Sequence, residues 1–293
     1  MKDKMTWEET IRFIRTKPEF KQLVEQAYFE EELCLNVERF KKSREFIETL
    51  SLLKQYQPLA KKILDIGSGN GISTIAFALE GYQVTSIEPD KSETIGAGAI
   101  SQLKEYYHLE NVQVLSEYAE DIQFQEGSFD IVYSRQCMHH AYNLEKFVFE
   151  AGRVLKPGGL FITVRDHVVF DKKDKAVFLN AHPLQKFYGG ENAFTPDQYK
   201  NAIFKAGLKL VKELKFYDSV INYFPLVVEV NEENIQKEKE RLINHLKSKI
   251  SYFANLKLVQ NYYLARTTKN INEKSIAGRM YSFIALKSKK VNI

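Results

Sequence analysis

Between Lys62 and Gly71 the chain reads Lys62-Ile63-Leu64-Asp65-Ile66-Gly67-Ser68-Gly69-Asn70-Gly71, a short apolar run followed by three glycines at alternate positions. The apolar pair predicts a buried strand, and glycine at 67, 69 and 71 removes side chains where the backbone must turn sharply and come close to a ligand. Ser73-Thr74-Ile75-Ala76-Phe77-Ala78-Leu79 then has helical spacing, Gly81 ends it, and Tyr82-Gln83-Val84-Thr85-Ser86-Ile87 predicts a second strand closing on Glu88. A carboxylate at that place can accept two hydrogen bonds from a ribose diol, so the unit predicts a site for an adenosine-bearing cofactor.

The glycine spacing separates two kinds of cofactor. A dinucleotide fingerprint has G-x-G-x-x-G, with the helix N-terminus facing a pyrophosphate. Here the order is G-x-G-x-G, and Asp65 precedes the first glycine by two residues. A carboxylate so close repels a pyrophosphate and attracts the ammonium of a methionine moiety. S-adenosylmethionine therefore fits better than NAD, and a nicotinamide-dependent oxidoreductase is the runner-up reading.

With these residues in view, the chain resembles the class I S-adenosylmethionine-dependent methyltransferases, in the small-molecule branch known as the methyltransferase type 11 domain. The resemblance covers roughly residues 60 to 168. It rests on the Ile63 to Gly71 segment, Glu88-Pro89-Asp90, Ala119-Glu120-Asp121, Gly127-Ser128-Phe129-Asp130-Ile131-Val132, Met138-His139-His140 and Arg153-Val154-Leu155-Lys156-Pro157-Gly158-Gly159. It implies a Rossmann-like seven-stranded α/β sheet, parallel with one antiparallel strand, with helices on both faces. It also implies in-line SN2 transfer of a methyl group to an O, N or C nucleophile of a small polar molecule, with S-adenosyl-L-homocysteine as product. Carried over by position, Asp65 and Gly67 hold the methionine part, Glu88 the ribose hydroxyls and the Tyr118-Ala119 step the adenine edge, with Glu120 or a backbone group as the alternative contact there; Ser68, Gly69 and Pro89 also belong to the cofactor site, and Ser134 and Arg135 lie beside the sulfonium. Tyr118 departs from the pattern, since the family often has aspartate there.

Composition agrees with such an enzyme and narrows its partners. A chain of 293 residues is long enough to bury a large core. No apolar run approaches the roughly 20 residues needed to span a bilayer, and Met1-Lys2-Asp3-Lys4 leads into Trp7-Glu8-Glu9 and not into an apolar signal core. A cytoplasmic location is the expectation. Cys34 and Cys137 are the only cysteines, with no C-x-x-C, and no carboxylate cluster suggests magnesium, so no metal site is expected. The net charge of +4 is interleaved with acidic residues, and no two prolines are adjacent, which removes the Pro-Pro motif of base methylation. Nucleic acid is not an expected partner.

Residues 1–56 read as a helical N-terminal extension, 57–216 as the cofactor-binding core, 217–279 as a helical cap insert and 280–293 as the last core strand and tail. Further strands are expected near 111–115, 129–134, 159–165, 209–214 and 280–286, and the alternation with helices calls for a parallel sheet covered on both faces. Pro18-Glu19 marks a fresh helix start. Lys156-Pro157-Gly158-Gly159 suits a type II turn. Thr195-Pro196-Asp197-Gln198 predicts a capped helix that ends near Gly207. Within the insert, Ile235, Leu242, Ile243 and Leu246 have amphipathic spacing. Membrane binding is the alternative for that helix, tempered by Glu232, Glu233, Glu238 and Glu240.

Candidate acid-base residues gather beyond the predicted ends of strands four and five, where open parallel sheets bind ligands. They are His139, His140, Asp166 and His167; His140 and His167 are the expected bases and Asp166 a base or an orienting group. A glycine-rich segment from His182 to Phe194 reads as a binding loop, with Tyr188, Glu191 and Asn192 as acceptor contacts. Tyr28, with Phe29 and Glu30, is a further acceptor candidate from the extension, against a plain packing role. The same loop also reads as a turn plus an aromatic staple of Phe194 against Tyr199. A cofactor-binding regulatory protein without turnover is a third functional class.

Overall fold

Along each central strand, successive side chains enter two separate apolar layers, which is what a sheet covered on both faces demands. Leu64, Ile66, Val132 and Phe161 belong to one layer, Ile63, Ile131, Tyr133 and Ile162 to the other. The computed structural model describes residues 4–225, 228–250, 256–267, 273 and 276–289. Its seven strands are β1 (Lys62–Ile66), β2 (Gln83–Ile87), β3 (Val112–Leu115), β4 (Phe129–Arg135), β5 (Leu155–His167), β6 (Leu208–Leu214) and β7 (Met280–Lys287). They lie in the order β3-β2-β1-β4-β5-β7-β6, with β7 antiparallel to both its neighbours and the other pairings parallel. The order reverses between β1 and β4, the place where such sheets open a crevice at their carboxyl ends.

Four helices precede the sheet: α1 (Trp7–Arg15), α2 (Lys21–Gln26), α3 (Leu33–Lys41) and α4 (Arg44–Tyr56). Helices α3 and α4 join the layer of Ile63 and Ile131 through Val37, Phe40, Phe46, Leu52 and Leu53. Helices α1 and α2 instead meet residues 184–188 in a satellite cluster built on Ile11, Ile14, Val24 and Leu184. The helices α5 (Ile72–Leu79), α6 (Ala97–Tyr106), α7 (Leu144–Val154), α8 (Lys172–Ala181) and α9 (Pro196–Lys205) connect the strands. Thr195 and Gln198 cap α9 reciprocally, and the Phe194 and Tyr199 rings meet edge-on at 5.7 Å.

The sequence expectation for β5 needs one correction. The strand starts at Leu155, which pairs with Phe129 before Pro157-Gly158 bulges out of the sheet. Gly158 takes φ +80°, the third-position geometry of a type II turn. Between β6 and β7 lie α10 (Val220–Tyr223), α11 (Val228–Lys249) and α12 (Lys257–Thr267). Leu246 is buried on α11, while Leu242 and Ile243 are half-buried. Residues 226–227, 251–255, 268–272, 274–275 and 290–293, which the expected cap and tail include, lie outside the described residues, as do the side chains of Ile235, Glu232, Glu233 and Glu238.

Candidate active site

The glycine turn between β1 and α5 is shaped by what each missing side chain would meet. Gly67 takes φ +65°, and a Cβ there would lie 2.1 Å from Cys137 Sγ, so β1 and the segment after β4 touch only because residue 67 has no side chain. Gly69 takes φ +55°, and a Cβ there would meet no atom within 4 Å, so the turn faces open space at that point. Gly71, at φ +83°, begins α5 against Ile100.

Asp65 is fully buried under this turn. Its Oδ2 accepts hydrogen bonds from the Ser73 and Thr74 hydroxyls, both at 2.7 Å, which leaves Oδ1 buried without a partner. Burial pushes the carboxyl up to about 6, against the opposing pull of those hydroxyls. Ser68 donates to the Asp65 carbonyl, and Ser86 to Ser68 Oγ. At the end of β2, Glu88 accepts from the amides of Gly69 at 2.8 Å and Asp90 at 3.0 Å, and burial raises it to about 7. Each Glu88 oxygen thus holds one amide and retains capacity for a second donor.

At the ends of β4 and β5 a bulge re-aims the side chains. Arg165 takes φ +62°, and the β5–β7 register slips between Thr163 and Asp166. The slip lets Thr163 donate to Asp166 although they are three residues apart. Asp166 also accepts from the His139 amide at 3.0 Å, and its Oδ1 lies 3.1 Å from His139 Nδ1. Burial pushes Asp166 up to about 7 and drives the imidazoles of His139 and His167 well down, so both rings are neutral near pH 7. Asp166 therefore orients His139 in preference to His140 or His167. The His167 ring makes its Nδ1 contact with the Gly278 carbonyl at 3.1 Å and packs on Phe178. His140 is exposed; its ring lies on that of His139, and Nδ1 approaches the Gly190 carbonyl at 3.1 Å. Since a carbonyl only accepts, Nδ1 of His140 is the donor in this contact, and Nε2 is the nitrogen not engaged by it.

Two expected contacts take other partners. Arg135, expected beside the sulfonium, turns to Glu45 of α4 and makes two hydrogen bonds at 2.6 and 3.1 Å. Arg165 Nη1 lies 3.6 Å from the same carboxylate, so one buried glutamate faces two guanidinium groups. Tyr28, expected near an acceptor, has its ring in the apolar layer edge-on to Phe40, and its carbonyl accepts from Asn70. Glu45 and Asn70 had no local signal in the sequence, because their partners lie tens of residues away. Ser134 is buried at the end of β4, and Pro89 follows Glu88 in the loop after β2.

The match to known proteins falls on the segment just described. Residues 64–163 match a family model described as a methyltransferase domain. The chain carries a class I S-adenosylmethionine-dependent methyltransferase domain. The unpartnered Asp65 oxygen and the open space at Gly69 within it fit S-adenosylmethionine. Over 106 residues the chain is 35% identical to an uncharacterized methyltransferase, YcgJ, of Bacillus subtilis, covering 36% of this chain and 40% of the relative. It is 27% identical over 177 residues to the sarcosine/dimethylglycine N-methyltransferase of Halorhodospira halochloris, 60% of each. The chain thus spans about 40 to 60% of the length of these relatives. A protein from Galdieria sulphuraria, provisionally described as a sarcosine dimethylglycine methyltransferase, shares the fold with a TM-score of 0.58 over 97% of this chain and all of that one, at 18% identity.

Around the methyltransferase domain, the remaining expected contacts separate into two groups. Tyr118 is exposed, Ala119 packs against the core, and Glu120 accepts from the Tyr142 and Asn143 amides at the start of α7. On the other side, the Tyr188 hydroxyl donates to Glu191, and Asn192 Oδ1 accepts from Lys175 Nζ. His139, His167 and Glu191 offer one ligand-type atom each within 4.8 Å of one another, a cluster from three separate segments. The expectation of no metal site rested on local spacing, and this cluster has none. A surface cavity of about 280 Å³ lined by Gln22, Glu25, Gln26, Tyr28, Arg39, Phe224 and Pro225 includes none of the cofactor-turn residues. Among the described residues no helix is long and apolar enough to cross a membrane.

Proposed function

We propose that the chain methylates a small polar acceptor through an O, N or C nucleophile, with Asp65 and Glu88 as the principal holders of S-adenosylmethionine. The observation that carries this reading is the buried, unpartnered Oδ1 of Asp65 beneath an open glycine turn. An orphaned buried oxygen is costly unless a donor arrives, and the ammonium of a methionine moiety is such a donor. The two Glu88 oxygens suit a ribose diol, and the exposed Tyr118 flanks the place for the adenine edge. Bound S-adenosylmethionine would supply a methyl group already activated by its sulfonium.

What this chain's own residues then contribute is placement, worth on the order of 7 to 11 kcal/mol when reacting atoms are aligned. An acceptor entering at the carboxyl ends of β4 and β5 meets His140, whose Nε2 is free to take a proton from a hydroxyl. Tyr188, Glu191 and Asn192 wall the same side. Helix α1 closes over that wall, with Trp7 4.6 Å from the Tyr188 ring and Phe13 5.2 Å from Phe187. Small acceptors match a site walled by side chains from the extension and one loop.

A calorimetric titration with S-adenosylhomocysteine, with NADH run beside it, tests the reading. Micromolar binding of the former alone is expected, and Asp65→Asn should weaken it at least tenfold. Binding of NADH in its place would overturn the proposal. Binding of S-adenosylhomocysteine with no methyl transfer across a broad acceptor panel would favour a regulatory role.

A further inference from the structure

We propose that His139, His167 and Glu191 form a binding site for a divalent first-row transition metal of the zinc class, at the acceptor side of the sheet. Each of the two imidazoles has one ring nitrogen already committed. His139 directs Nδ1 to Asp166 at 3.1 Å, and His167 directs Nδ1 to the Gly278 carbonyl at 3.1 Å. With Asp166 ionised, each ring donates through Nδ1 and its Nε2 carries the lone pair. A carboxylate and a carbonyl behind two imidazoles are the partners that hold metal-ligating histidines in place.

Glu191 completes the pattern. One of its oxygens, Oε1, accepts from the Tyr188 hydroxyl and has His182 Nε2 at 3.5 Å. The other, Oε2, is buried without a hydrogen-bond partner and lies 3.9 Å from His139 Nε2, too far for a hydrogen bond. The carboxylate side chain is only 5% exposed, so water does not compensate that oxygen. Burying a carboxylate oxygen against two neutral rings is unfavourable until a cation sits between them.

The separations are compatible with one ion. Three atoms no more than 4.8 Å apart can surround a point at most about 2.8 Å from each, and a small rotation of the side chains reaches the 2.0 to 2.2 Å of zinc–nitrogen and zinc–oxygen bonds. Two histidines and one carboxylate leave further coordination positions open for water or an exogenous ligand. An acceptor hydroxyl held there would have its pKa lowered by the metal, its proton passing to His140 or solvent as the oxygen becomes nucleophilic. That last role rests on the methyltransferase reading; metal binding itself does not.

The test uses the untagged full chain, incubated with Zn2+ or Co2+, desalted, and assayed for bound metal by mass spectrometry. Co2+ absorption provides the coordination signature. About one equivalent should be retained, with a visible Co2+ spectrum of low coordination number. Glu191→Gln should weaken binding at least 100-fold, and the milder Tyr188→Phe and Asp166→Asn by about 10- to 100-fold, as for other outer-shell changes. Circular dichroism and a thermal melt of each variant show whether it is folded, and S-adenosylhomocysteine titrations on the same samples report the cofactor site separately. Cofactor binding without retained metal in the wild-type chain would overturn the metal site and leave the methyltransferase reading intact. Metal binding that a folded Glu191→Gln leaves unchanged would also overturn it. Retained metal that the variants lose, in a chain that does not bind S-adenosylhomocysteine, would uphold the site and remove the acceptor role.

Discussion

Asp65 and Glu88 are carboxylates that burial holds partly protonated near neutral pH, at about 6 and about 7. A bound ammonium and ribose hydroxyls favour their ionised forms, so affinity for S-adenosylhomocysteine should rise as pH rises from 5.5 to 8, by roughly tenfold or more. The groups facing them are Ser68, Ser73, Thr74 and Arg135 around Asp65, and Asp90 and Asp65 around Glu88. In the fold alone the sign is opposite. Both groups bind protons more tightly folded than unfolded, so their contribution to stability falls as pH climbs from the ordinary carboxylate range through about 7. His139 and His167, depressed by burial, oppose this by losing stability as pH falls below the ordinary histidine value of 6.5. Calorimetry of binding against pH is therefore the cleaner measurement, and a flat profile would mean that neither carboxylate exchanges a proton on binding in this range. Glu88→Ala should weaken the cofactor by about 10- to 100-fold and also lower the melting temperature, because it removes the ribose acceptor and leaves the Gly69 and Asp90 amides without their partner. Gly67→Ala is expected to destabilise the fold. Cys137→Ala should not rescue it, since Cys137 Cβ itself lies 2.8 Å from the added methyl and φ stays positive.

At the scale of elements, Glu45 fastens the helical extension to the sheet. Its carboxylate on α4 meets Arg135 at the end of β4 and Arg165 in the β5 bulge, and Arg165 also donates to the Ile221 and Phe224 carbonyls around α10. Three elements distant in sequence converge on one buried negative charge. Glu45→Ala leaves two buried guanidinium groups without their anion, and urea unfolding should show a loss of about 3 to 5 kcal/mol. A loss below about 1 kcal/mol would mean that solvent reaches the cluster. Arg135 thus ties α4 to the sheet through Glu45, and Tyr28, between Phe40 and Arg135, supports the same junction.

Over the whole molecule, the N-terminal helices and the 182–194 loop share an apolar cluster apart from the two main layers. Trp7 touches both Phe29 and Tyr188, and the Met5 amide donates to the Phe187 carbonyl. The loop that carries Glu191 is therefore positioned by a segment more than 170 residues earlier in the chain. Trp7→Ala should raise amide hydrogen exchange across residues 184–191 and raise KM for the acceptor, with cofactor affinity unchanged. Equal exchange in mutant and wild type would show that the loop holds its shape alone.

Local rules carried the strands, the glycine turn, the reciprocal cap at Thr195 and the turn at Pro157-Gly158, because strand alternation, positive-φ glycines and capping pairs act within a few residues. Asp65 and Glu88 were legible as candidates for the same reason: one lies within β1 and the other directly follows β2, and both strands are recognisable from their own composition. Convergence of Glu45 on Arg135 and Arg165, the slip that re-aims Asp166, and the meeting of His139, His167 and Glu191 were not. They depend on which strand ends become neighbours after the sheet order reverses and on how a distant helix closes a loop. The α/β framework and the glycine turn follow from patterns a few residues long, whereas which buried charges face one another follows from the folded arrangement, since electrostatic partners in a folded chain are set by proximity in space and carry no periodic signal along it.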